Sequence, residues 1–217
     1  MNKPIPERDA AELRGRYPLM FLQMNDTQTK FIRVKNSQGR TPRRRILESG
    51  NKNGKTYGGI AEDIAHMMGF RPWLRPDDTD YKIDIKVPNI GLVVGETVMH
   101  SIAEKIVPTF RELIPDYCKA VFKAGPTGVP IKVTLPIDVY GGKCGSECYL
   151  RSYDQRADSF EGIDFAWLHC DEPPPEDVLM AIERGKVVTN APSWYTMTPL
   201  KEAHFYSKFS SRAGIRV

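Results

Sequence analysis

Ser49-Gly50-Asn51-Lys52-Asn53-Gly54-Lys55-Thr56 lies between a short apolar segment, Ile46-Leu47, and a stretch in which Ile60, Ile64, Met67 and Met68 recur at three- and four-residue spacing. Holding a phosphate requires backbone N–H groups curled toward one point at the positive end of a helix dipole, and glycines permit that curl. In such a loop Lys55 reaches the β- and γ-phosphates of a nucleotide, and Thr56 places its hydroxyl on Mg²⁺. The strict pattern has Gly at position 49, where this chain has Ser; Gly50 follows at once, so the loop can still turn. The competing reading is an ordinary Gly/Asn-rich turn. The strand before it and the amphipathic helix after it, closed by Gly69, favour phosphate.

Working outward, apolar segments at Gly91–Val94, Phe165–Cys170 and Val187-Val188 alternate with helix-like stretches, which predicts a sheet with helices on its faces. A second helical pattern runs Val98, Ile102, Ile106, Phe110, Ile114, and Pro108 should kink or divide it near Val107 because proline has no N–H to donate. Val129, Ile131, Val133, Leu135, Ile137 and Val139 alternate with mostly polar partners, so a β-hairpin is expected at 129–153 with GGKCGS at its tip. Residues 1–45 read as a loop-rich lead-in to the same domain, with a short helix over Glu7–Arg16, and residues 46–217 as the core.

A strand ending in acids is the natural partner of a phosphate loop. Phe165-Ala166-Trp167-Leu168-His169-Cys170-Asp171-Glu172 delivers two carboxylates to the carboxyl edge of the sheet, where open α/β folds bind ligands. Asp171 would hold Mg²⁺ and Glu172 would polarise an attacking water. Further on, Thr196 and Thr198 alternate on a strand ending at Pro199, so both hydroxyls should point the same way and can sense a γ-phosphate; a packing pair is the alternative.

Composition sets the limits. The 217 residues are 41% hydrophobic and 10% aromatic, which excludes disordered and collagen-like chains and suits one α/β core. No apolar run approaches the ~18 residues of a membrane span, and the first residues lack the apolar stretch of a secretory leader, so an intracellular protein is expected. Net charge is +4, but residues 1–56 carry 13 Lys/Arg against 5 Asp/Glu. That basic front is expected to meet polyanions or simply to be solvated; Arg43-Arg44-Arg45 is its densest run, suited to DNA phosphates, to a neighbouring subunit's nucleotide, or to a solvated turn. Cys144, Cys148 and His169-Cys170 could assemble zinc ligands, yet the usual second spaced pair is missing, and free thiols are the better expectation for the four cysteines.

Taken together these residues resemble the ATPase domain of the large terminase subunit, the motor that packages double-stranded DNA into tailed-phage heads. SGNKNGKT is similar to that family's GGNRSGKT-type loop, with Lys52 at its basic position. Asp171 to Glu176, DEPPPE, is similar to its Walker B segment, and Ser152-Tyr153-Asp154-Gln155 and Phe160-Glu161-Gly162 resemble the stretch leading into it. Thr196-Met197-Thr198-Pro199-Leu200 looks like its coupling motif, and Gln28-Thr29-Lys30-Phe31 like the glutamine segment set against adenine. The likeness spans residues about 20 to 205, in the family's order.

The resemblance implies a P-loop NTPase fold of the three-layer ASCE (RecA-like) type, with a mostly parallel central sheet and a β-hairpin insertion. It implies ATP with Mg²⁺ at Ser49, Gly50, Asn51, Lys52, Asn53, Gly54, Lys55, Thr56, Gln28 and Asp171. Glu172, Lys55 and Lys52 would act in catalysis, and Thr196 and Thr198 in coupling. It implies double-stranded DNA held through its backbone, a homo-oligomeric ring, a portal protein, a small terminase subunit and work in the host cytoplasm. A charge-stabilising group could be Lys52 in cis, or Arg151, Arg156, Arg184 or Arg212 from a neighbour; Lys52 cannot make the bidentate contact of Arg. The family's nuclease domain has no room before Val217, so an excised motor domain or a separately encoded nuclease is expected. A helicase-like ATPase and a non-hydrolysing nucleotide-regulated scaffold are the alternatives.

Overall fold

The computed structural model describes residues 7–50, 52–160, 162, 164–198 and 215–216. Asn51, Glu161, Pro199, Leu200 and Arg212, each assigned a role from sequence, lie outside the described residues. In chain order the elements are α1 (Glu7–Arg16), α2 (Asp26–Arg33), β1 (Arg44–Glu48), α3 (Lys55–Met68), β2 (Ile90–Gly95) and a π-helical segment (Val98–Ile106). There follow α4 (Val107–Leu113), β3 (Val121–Ala124), β4 (Pro130–Ile137), β5 (Lys143–Ser152), β6 (Trp167–Asp171), α5 (Glu176–Thr189), β7 (Ser193–Met197) and β8 (Ile215–Arg216).

The strands form one sheet in the order β3-β4-β5-β2-β6-β7-β1-β8. Every pairing from β5 to β8 is parallel, and β3, β4 and β5 form an antiparallel meander at one edge. The phosphate-loop strand β1 and the acidic strand β6 do not touch, since β7 runs between them with Thr196 level with both Leu47 and Asp171. The expected hairpin is β4–β5, but β5 also pairs with β2, so the hairpin continues the main sheet. Its turn is Asp138–Gly142, where the Asp138 carboxylate accepts the N–H groups of Tyr140 and Gly142; Lys143 to Ser146, placed at the tip from sequence, are strand.

Strand alternation gives the sheet two apolar faces. One buries Ile46, Leu92, Val94, Leu168, Cys170, Tyr195 and Met197 together with Val178, Leu179 and Ile182 of α5. The other buries Leu47, Val93, Trp167 and Trp194 with Ile60 and Ile64 of α3 and Phe110 of α4. This is a three-layer arrangement. Trp167 of β6 and Trp194 of β7 stack at 5.5 Å between centroids, and His66 of α3 lies against both rings. The helix ends where expected, at Gly69 with φ 80°. Pro108 sits in the first turn of α4, where its missing donor costs nothing, and the preceding turn is π-helical, with Val107 N–H donating to the carbonyl of Ile102.

Two expectations are corrected. Val187-Val188 lies within α5, not in a strand; the strand that follows is β7. Arg43-Arg44-Arg45 is not a solvated turn as a whole: Arg43 is exposed, but Arg44 and Arg45 open β1. Arg44 donates to Glu183, Arg43 binds the carbonyl of Asn190, and Arg45 is 1% exposed, set over the rings of Phe31 and Trp194 and paired with Glu62 at 2.8 Å. Arg71 binds the same Glu62 carboxylate, and burial, which opposes its charge, is outweighed by the two guanidinium groups that hold it well below the usual carboxylate range. Among the described residues no helix is long and apolar enough to cross a membrane.

Candidate nucleotide site

The chain leaves β1 at Glu48, and Ser49 N–H donates to the carbonyl of Met197 at 3.3 Å, which ties the loop's start to the end of β7. Lys52 (φ 67°) and Gly54 (φ 71°) both adopt the left-handed conformation, which reverses the chain and lets successive N–H groups converge ahead of α3. For Lys52 that conformation costs about 1 kcal/mol, strain of the kind that collects at functional loops. Asn53 Nδ2 donates to Ser49 Oγ at 2.7 Å, so the Ser that departs from the strict pattern acts as a brace across the loop. Lys55, 8% exposed, donates its ammonium to the carbonyl of Gly50 at 2.9 Å and so lies along the loop's inner side.

Gln28 was expected at adenine. Its amide instead accepts Asn25 N–H (2.9 Å), completing the cap of α2, and donates to the carbonyl of Gly54 at 2.7 Å. Asn25 Nδ2 also binds the carbonyl of Asn53. Helix α2 is therefore the loop's foundation, and Gln28 packs so closely that a Cβ on Gly54 would lie 2.9 Å from its Nε2.

Alternation along β6 and β7 puts His169 and Asp171, and Trp194 and Thr196, on the face that α3 covers, while Thr198 follows the end of β7. Asp171 Oδ1 accepts two hydroxyls, Thr56 at 2.9 Å and Thr196 at 2.8 Å. Helix start, acidic strand end and intervening strand thus meet at one carboxylate. Glu172 turns away from the strand with φ 74°, its N–H on the carbonyl of Thr196 (2.8 Å) and its own carbonyl accepting Tyr153 Oη–H at 2.7 Å. Its carboxylate accepts both the N–H and the hydroxyl of Thr198, each at 3.1 Å. Tyr153 belongs to the SYDQ stretch singled out in the sequence, and here it props the backbone of Glu172.

Thr196 is fully buried behind Asp171, with its hydroxyl donated to that carboxylate and its oxygen 2.8 Å from His169 Nε2. His169 Nδ1 lies 2.8 Å from Asp63 Oδ2, and Trp194 Nε1 donates to Asp63 Oδ1 at 3.1 Å. Burial raises the Asp63 carboxyl to about 6, and although burial opposes charge on His169, the Asp63 carboxylate outweighs it and raises the imidazole. Sequence reasoning treated His169 only as a zinc candidate. The available signal was a histidine two residues before Asp171, hence on its face, in an otherwise apolar strand.

Hard oxygen donors at Thr56 and Asp171 fit Mg²⁺, which is held by one or two protein oxygens plus phosphates and waters. Among the described residues there is no group of three or more His, Cys, Asp and Glu placed to hold a metal, and the four cysteines are buried as free thiols. Lys52, Arg156 and Arg184 are exposed, while Arg151 lies 5.7 Å from the ring of Tyr149.

Fold and site define a P-loop α/β domain in which one strand separates the phosphate-loop strand from the acidic strand. No protein-family model matches the sequence, and no curated protein does. Among solved structures, the ATPase domain of the Thermus phage P74-26 large terminase, in a mutant form, is similar over 89% of this chain and 72% of that one, at 18% identity and TM-score 0.61. A large terminase from a thermophilic bacteriophage, solved with ADP, is similar over 89% of this chain and 45% of that one, at 17% identity and TM-score 0.57. The UvsW helicase of bacteriophage T4 covers 99% of this chain and 69% of its own, at 12% identity and TM-score 0.54. The fold is that of phage large-terminase ATPase domains, shared more loosely with a helicase.

Proposed function

We propose that this chain is the ATP-hydrolysing motor of a viral DNA-packaging terminase. The observation that carries the reading is the meeting of Thr56, Thr196 and Asp171 at one carboxylate, beside a Glu172 whose strained backbone and clamped carboxylate are aimed past the strand end. Lys55 exchanges the Gly50 carbonyl for the β- and γ-phosphates, and the loop's N–H groups and Lys52 surround them. Asp171 and Thr56 would hold Mg²⁺, which would offset the negative charge of the phosphates. Glu172, steadied by Thr198, orients the attacking water. Thr198 is the coupling residue, since of the two threonines it is the one that hydrogen-bonds the carboxylate of the water-orienting group. Gln28 supports the loop and is not assigned to adenine.

The fold shared with two phage large terminases supports the packaging role, and with it an assembled ring, double-stranded DNA gripped through phosphates, a portal, a small subunit and a nuclease as partners, in the host cytoplasm. DNA contacts of that kind carry no sequence information and weaken with salt. The T4 helicase likeness supports the second reading, a strand-separating ATPase. A scaffold that never turns over has no use for a clamped Glu172. Strand displacement measured beside DNA packaging into proheads decides: ATP-dependent protection of DNA inside proheads supports the motor, and unwinding without protection supports the helicase.

A further inference from the structure

Parallel strands buried on both faces are expected to be apolar, yet β6 and α3 bury a histidine and an aspartate, both with no exposed surface. Two unpartnered groups of that kind would be costly, and here each is fully engaged in one unbroken line: Trp194 to Asp63, Asp63 to His169, His169 to Thr196, Thr196 to Asp171, with Thr56 joining from the other side. The local backbone makes room for it. A Cβ on Gly59 of α3 would stand 2.5 Å from His169 Cε1 and 2.9 Å from Thr196 Cγ2, so a glycine is required where the imidazole passes.

The line has a direction. Thr196 has one hydroxyl proton, and Asp171 Oδ1 takes it; the Thr196 oxygen must then accept from His169 Nε2–H, which turns Nδ1 toward Asp63. With Oδ1 receiving both Thr196 and Thr56, Oδ2 is the Asp171 oxygen left to face a cation.

We propose that His169 and Asp63 are positioning residues for the metal carboxylate: acting through Thr196, they fix which oxygen of Asp171 is presented to Mg²⁺. The inference rests on the reading of Asp171 as the Mg²⁺ carboxylate. Groups that orient a metal ligand from behind contribute tenfold to a hundredfold in metal affinity in other proteins, although they touch neither metal nor substrate.

The test uses the full chain, a non-hydrolysable fluorescent ATP analogue and titrated Mg²⁺. His169→Gln extends an amide N–H to where Nε2 stood and should bind Mg²⁺ nearly as the wild type does. His169→Asn can pair with Asp63 but stops short of Thr196, and should weaken the Mg²⁺ dependence about tenfold while binding in EDTA changes less than twofold. In a Thr196→Val background the same His169→Asn change should add nothing, because the link it breaks is already gone. Equal Mg²⁺ affinities for Gln and Asn, or a full additional loss in the Thr196→Val background, overturns the inference. If Mg²⁺ does not strengthen analogue binding even in the wild type, the reading of the site itself falls; if it does and His169→Asn matches wild type, the positioning role alone falls.

Discussion

Thr198→Val isolates the contact assigned to coupling. Glu172 takes two hydrogen bonds from Thr198, backbone N–H to Oε2 and hydroxyl to Oε1, each 3.1 Å. Valine keeps the β-branch and the backbone bond and deletes only the hydroxyl. A hydrogen bond to a charged group contributes about 1.5–3 kcal/mol, and because both residues are partly exposed, water replaces some of it, leaving about 1–1.4 kcal/mol. If that contact holds Glu172 in its water-orienting position, turnover falls about five- to tenfold. Nucleotide affinity should stay within twofold, since Thr198 is not placed on a phosphate. The assay is steady-state ATP hydrolysis by the assembled, DNA-engaged motor, with analogue binding in parallel and Thr198→Ser as the rescue. Wild-type turnover in Thr198→Val, or a serine variant as slow as the valine one, refutes the clamp.

Three further outcomes follow from the same geometry. Lys55→Ala, which removes the ammonium lying along the loop, should abolish turnover and weaken ATP binding at least tenfold with an unchanged far-UV spectrum, measured by equilibrium titration. Gly59→Ala gains about 1 kcal/mol of helix propensity but forces its Cβ into the His169 ring, at a cost of about 2–3 kcal/mol, so Tm should fall by roughly 2–8 °C in calorimetry. Burial pushes His66 down to about 3, helped by Arg45 and Arg71 against Glu62, with the Trp167 and Trp194 rings beside it. Below its ordinary 6.5 the unfolded chain takes up a proton that the folded chain refuses, so stability should fall as pH drops toward about 3, by at most about 1.4 kcal/mol per unit. His66→Gln should flatten that slope in urea titrations across pH 4 to 6.5.

What the sequence disclosed was what local chemistry determines. The helix after the loop, its glycine stop and the break at Pro108 depend on residues within a few positions of each other, and all appear in the structure. The paired acids and the threonine strand were legible because strand ends and alternation are local too. The misplaced hairpin turn shows the limit: GGKCGS carries the turn residues, but Asp138 caps the loop from its other side and pulls the turn forward. Val187-Val188 and Val121–Ala124 were misjudged or missed because segments of two to four residues carry no period that separates helix from strand, and tertiary pairing decides. Arg45 looked like surface because its partner Glu62, which Arg71 also binds, comes from a helix that only the fold brings there. The Asp63–His169 link joins residues 106 apart, and no spacing rule reaches that far.

The central claim is a Mg²⁺-dependent hydrolytic site divided between two adjacent acids, and single-turnover ATP hydrolysis with parallel binding in Glu172→Gln and Asp171→Asn tests it most directly. The account predicts that Glu172→Gln binds Mg·ATP as wild type does and cleaves it about a hundredfold more slowly or worse, whereas Asp171→Asn loses the Mg²⁺ dependence of binding itself. Wild-type cleavage in Glu172→Gln, or a loss of affinity alone in both variants, would contradict it.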